Sequence, residues 1–115
     1  MEATQKQVEV FKTPAGWVPF IDWLRGLRDQ RARQKIQARI DRLSLGNLGN
    51  SRSVGEGVQE LKIDYGPGYR VYFGQHGEKL VILLCGGDKG TQDEDIEKAK
   101  EFWKAYKEEK SHANR

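Results

Sequence analysis

The chain has 115 residues but only one cysteine, one methionine, two histidines and three prolines. A lone thiol, Cys85, excludes an internal disulfide and fits a reducing compartment. It ends an apolar run, so a buried inert thiol is expected rather than a nucleophile. His76 and His112 stand far apart, and no ligand pair falls at helical or loop spacing, so no metal and no other cofactor is expected. The longest apolar run, Leu80 to Cys85, is far too short to cross a bilayer. The opening MEATQKQVEVFK has no apolar signal core, which leads to the expectation of a cytoplasmic protein with no membrane partner. Repeats, low-complexity stretches and long linkers are absent as well. A single domain over residues 1–115 is expected, with 111–115 as a frayed tail.

Charge is present in quantity but is unevenly placed. Twenty Lys and Arg oppose seventeen Asp and Glu, a net +3. Between Arg25 and Arg42 there are seven bases against two acids, whereas Gln92 to Lys110 holds seven acids and five bases. A local basic excess is what a polyanion-binding footprint requires, and equally what a solvated helix face carries.

Periodicity divides the chain into short elements. QVEVFKT alternates and predicts a first strand, ended by Pro14 and Gly16. WVPFIDWLRGL has helical spacing, with Pro19 tolerated in the first turn. A second helix follows, with Ala32, Ile36, Ile40 and Leu43 as its apolar stripe. Its opposite face carries most of the bases, among them Arg33 and Arg39 as candidate contacts to an anionic substrate. The glycines and asparagines of LGNLGN stop it. VQELKID, YRVYF and KLVILLC read as three antiparallel strands, joined by the YGPG and GQHGE turns. The last strand is apolar throughout, as expected of a strand with little solvent on either face. TQDE predicts a capping box at Thr91 and Glu94 opening a final helix with Ile96, Ala99, Phe102, Trp103 and Tyr106 inward. The predicted order is β-α-α-β-β-β-α, an α+β domain with a three-stranded meander packed on a helical hairpin.

The hairpin ELKIDYGPGYRVYFG carries a cation in the middle of each strand. Alternation places Lys62 and Arg70 together, on the face away from the helical hairpin. Tyr72 shares that face, and Tyr65 and Tyr69 lie at the turn beside it, where a tyrosine can stack on a base or donate a proton. An arginine there can hold two phosphate oxygens. The plain alternatives are a solubilising strand face and packing tyrosines.

The segments VQELKIDYGPGYRVYF, KLVILLCGGDKGTQ and DIEKAKEFW, in this order, resemble the RelE/ParE toxin superfamily. The phage-derived HigB-like addiction-module branch is the closer match. The resemblance spans Val8 to about Tyr106. It implies a RelE-like fold and the toxin of a type II toxin–antitoxin system, namely a ribosome-dependent, metal-independent mRNA endoribonuclease. Lys62, Arg70 and Lys89 fall at the family's basic site positions. The sequence departs from the pattern at Asp88, where members often carry a base. The implied partners are a small helix-turn-helix antitoxin, the ribosome and mRNA. Two rivals follow from the same likeness: a gyrase inhibitor of ParE type, and an inactive nucleic-acid or partner-binding domain.

Overall fold

A computed structural model describes residues 5–113. The chain runs β1 (Gln7–Val10), α1 (Pro19–Gly26), α2 (Gln30–Ser44), β2 (Ser51–Gly55), β3 (Val58–Ile63), β4 (Tyr69–His76), β5 (Leu80–Gly87), a 3-10 turn (Lys89–Thr91) and α3 (Gln92–Ala113). One five-stranded sheet results, in the order β1-β5-β4-β3-β2. β1 pairs parallel to β5, and the other neighbours are antiparallel.

The α+β class holds, but the meander has four strands where three were expected. The additional strand, β2, reads SRSVG, so it shows no apolar alternation. It lies at the sheet edge, where one neighbour and solvent suffice. Its hairpin to β3 turns through Gly55, Glu56 and Gly57, all at positive φ (102°, 55° and 85°). Two glycines make that left-handed backbone accessible.

Local chemistry sets the helix ends. Pro19 occupies the first turn of α1, where its missing N–H costs nothing. Asp29 caps α2 by accepting from the Ala32 N–H at 3.1 Å. At its far end Gly46 takes φ 90°, while the Gly46 and Asn47 N–H groups return to the Leu43 and Arg42 carbonyls. That is a Schellman stop. The expected Thr91/Glu94 box is replaced by one a turn earlier. Asp88 accepts from the Gly90 N–H, and Thr91 Oγ1 reaches back to the Asp88 N–H. The acid that departs from the family pattern therefore has a capping role. The helix also continues through Ser111 to Ala113, residues expected to fray, while 114–115 lie outside the described residues.

The sheet has two covered faces. Leu61, Ile63, Val71, Phe73, Val81 and Leu83 meet Phe20, Ile36, Ile40 and Leu43 of α1 and α2. Val58, Tyr72, Ile82 and Leu84 meet Ala99, Trp103 and Tyr106 of α3 on the other. Each such aliphatic side chain removed from water contributes about 1.5–3 kcal/mol. The face expected to stand free of the hairpin is thus roofed by α3 along most of its length. Only the corner beyond the first turn of α3 stays open. Among the described residues no helix is long and apolar enough to cross a membrane.

Candidate functional site

At that corner a cavity of about 260 Å³ is lined by Asn50, Arg52, Glu60, Lys62, Arg70 and Gln92. Three strands and the start of α3 build it. Register sets Lys62 directly opposite Arg70 and Arg52 directly opposite Glu60. Alternation points all four to one face.

Glu60 is the hub. Only 3% exposed, its carboxylate accepts from Arg52 Nε (2.9 Å), Gln92 Nε2 (2.9 Å) and the Tyr72 hydroxyl (3.0 Å). Burial works to raise the Glu60 pKa, but the hydrogen bonds from Gln92, Arg52 and Tyr72 outweigh it and hold the carboxyl below the ordinary glutamate value. The same contact, with burial as the larger cause, pushes the Tyr72 phenol far up.

Arg70 is 6% exposed. Its Nη1 donates to the Gly68 carbonyl, and its Nε lies 3.9 Å from Glu60 Oε2. That Nε is buried without a hydrogen-bond partner among the described residues. A buried guanidinium donor left unpaired is costly, and this one faces the Glu60 carboxylate. The side chain is therefore not the open fork that a sequence reading suggests. It is held from two sides, with the buried Nε–H left unbonded. Lys62 is exposed at the cavity mouth. Lys89 is exposed too, and its Cβ packs beside Gly68, next to the Arg70 guanidinium. A side chain at Gly68, which has φ 82°, would strike that guanidinium, so glycine is needed where the turn meets the site. Formal charge within the cavity is three cations against Glu60, a net +2.

The tyrosines and helix arginines lie elsewhere. Tyr72 shares the expected face but is fully buried with its hydroxyl on Glu60, so its ring presents no platform to a base. Tyr69 is buried against the α1–α2 side, edge-on to Trp23. Tyr65 packs on that side as well, donating to Asp29 at 3.0 Å under the Lys35 ammonium. Arg39 lines a separate groove of about 230 Å³ with Lys35, Arg42 and Tyr65. Arg33 is half-buried on the same helix. The structure sets Lys62 opposite Arg70, leaves Lys89 outside the cavity lining with its Cβ near Gly68, and places Tyr65, Tyr69, Arg33 and Arg39 elsewhere.

Sequence reasoning missed Glu60, Arg52 and Gln92. The available signal was GEG between SRSV and VQEL, a glycine-framed turn that makes a hairpin and sets Arg52 beside Glu60.

The mouth of this cavity carries a net positive charge, which attracts an anion. Residues 22–115 match the phage-derived Gp49-like protein family (DUF891). The chain belongs to that family, a RelE/HigB-type toxin-like group associated with toxin–antitoxin systems. It is also 57% identical over 81 residues to an uncharacterized protein of Haemophilus influenzae, an alignment covering 70% of this chain and 82% of that protein.

Proposed function

We propose that the protein is the toxin of a type II pair and arrests translation in the cytoplasm by cutting mRNA on the ribosome without a metal. The observation that carries this reading is the cavity in which Lys62 and Arg70 face each other across β3 and β4, with Lys89 beside it. A phosphodiester seated there meets the positive potential of Arg52, Lys62 and Arg70. The adjacent 2′-oxygen attacks phosphorus and loses its proton, the P–O5′ bond breaks, and the 5′-oxygen is protonated. The products are a 2′,3′-cyclic phosphate and a 5′-hydroxyl end. Arg70 and Arg52 stabilise charge on the phosphorane, the contribution that usually dominates such steps. Glu60 is a poor base, because three donors already occupy its carboxylate, so its role is to hold the two arginines. Lys62, at the mouth, is the residue placed to exchange the proton. The ribosome supplies the positioning of the message, and the basic α2 groove with Arg39 suits contact with ribosomal RNA.

The expected partner is an antitoxin, a small helix-turn-helix protein that covers this corner or keeps it from the ribosome. Expression of the gene alone in bacteria, followed by mapping of message ends, tests the reading. Wild type should arrest growth and create new ends in translated messages, carrying 2′,3′-cyclic phosphate and 5′-hydroxyl termini. Arg70→Ala should lose about 100-fold or more in cleavage rate, and Lys62→Ala should lose cleavage with the fold intact. Arrest with a DNA-damage response and no new ends would favour gyrase inhibition instead.

A further inference from the structure

Two adjoining cavities, of about 230 and 540 Å³, share Lys35, Ala38 and Tyr65 and form one furrow between α2 and the end of β3. We propose that this furrow holds a second RNA strand by its phosphates, apart from the strand seated at the corner. The choice of RNA among polyanions rests on the toxin reading, but the binding does not require that the corner cut anything.

Four observations carry it. The first is charge. Arg31, Lys35, Arg39 and Arg42 line the furrow against Asp64 alone, so four cations less one carboxylate leave a net +3, as much as the whole chain carries. None of the ion pairs among the described residues includes these four cations. Such a row attracts a polyanion, whose condensed counterions are released on binding. The second is spacing. The four recur about one turn apart along α2, so they stand on one face over about 16 Å. A row of that length matches an extended run of charge rather than a single small anion. The third is prior order. Lys35 is held 5.3 Å above the Tyr65 ring, and the Tyr65 hydroxyl is anchored on Asp29 at 3.0 Å. The Arg39 guanidinium lies against Gly49, where a Cβ would collide with it, and glycine takes the φ of 56° there. Side chains ordered in advance lose less freedom on binding. The fourth is direction. Ile63 lines the furrow and Lys62, its neighbour on β3, lines the corner cavity, so the two open on opposite faces of the sheet. Opposite openings suit two strands rather than one.

The test uses the full chain, labelled with nitrogen-15, and penta-2′-deoxyuridylate, which keeps the phosphates but lacks the 2′-hydroxyl needed for cutting. Saturable shifts of the Arg31, Lys35 and Arg39 amide signals are expected, with a separate set at Lys62 and Arg70. Lys35→Gln combined with Arg39→Gln should weaken the furrow set about tenfold or more and leave the corner set in place. Arg70→Ala should do the reverse. In Arg70→Ala protein the log of the furrow affinity should fall with log salt at a slope of about −3, roughly −0.7 for each of four cations, and removing two cations should halve it. Arg31→Gln with Arg42→Gln, both exposed, serves as a second pair should the first fail to fold. Absence of furrow shifts, a salt slope that the double variant leaves unchanged, loss of both sets in either variant, or equal binding of a pentaglutamate peptide would each overturn the proposal. Furrow binding in a protein that creates no message ends would sink the toxin reading while the strand site stood.

Discussion

The two faces of the sheet use the same strands for different ends. Under α1 and α2 the buried side chains of β3, β4 and β5 are apolar, from Leu61 through Phe73 to Leu83. Under α3 the same strands begin apolar, with Val58 and Ile82, and end in Glu60, Lys62 and Arg70. One face supplies cohesion. The other divides its length, and in its polar half Glu60 is buried among three donors while Lys62 stays exposed. The apolar face and the polar corner are therefore separate regions built from the same strands.

That separation can be broken from either side. Phe73→Ala should have the largest effect, about 3–5 kcal/mol off the unfolding free energy in urea, because it empties the apolar face. Loss of arrest in that variant should follow loss of fold. Gly74→Ala, one residue on and on the other face, comes next. A Cβ there would fall 2.5 Å from the Trp103 ring, so about 1–3 kcal/mol is expected, with a change in tryptophan fluorescence. A loss below a few tenths would mean that α3 sits loosely on the sheet.

Glu60→Gln sharpens the contrast within the polar half. It should cost about 1–3 kcal/mol near neutral pH. It should also change the acid limb of the stability curve. The folded Glu60 carboxyl lies below its ordinary value of 4.5, so its contribution is present above that pH and is lost as pH falls through the depressed value. Urea melts between neutral pH and pH 3 should show wild type losing that increment and the variant lacking it. The smallest effect concerns Cys85, whose thiol burial pushes up to about 12. Native protein at pH 8 should resist iodoacetamide, while unfolded protein reacts.

Much of this was legible in the residues. The α2 stripe, the apolar β5 and the Lys62–Arg70 pairing across the GPG turn all follow from period alone. β2 was not, because an edge strand needs no apolar signal and SRSVG has little. Without β2, Glu60 has no Arg52 beside it and reads as one more exposed acid. The cover provided by α3 was legible and overlooked. A strand apolar on both sides, as KLVILLC is, already demands a roof over the face that Arg70 shares. Tyr69 has the parity of Val71 and Phe73 and stands opposite Ile63, so alternation alone sends it to the α1–α2 side, where Tyr65 also packs.

The pairing of β1 with β5 joins Gln7 to Leu80, 73 positions apart (80 − 7). During synthesis the first strand must wait for nearly the last one to emerge, since no earlier segment offers it an edge. The Glu60 nest waits longer still, for Gln92. A partially made chain therefore has neither a complete sheet nor an assembled cavity until the residues through Gln92 have emerged.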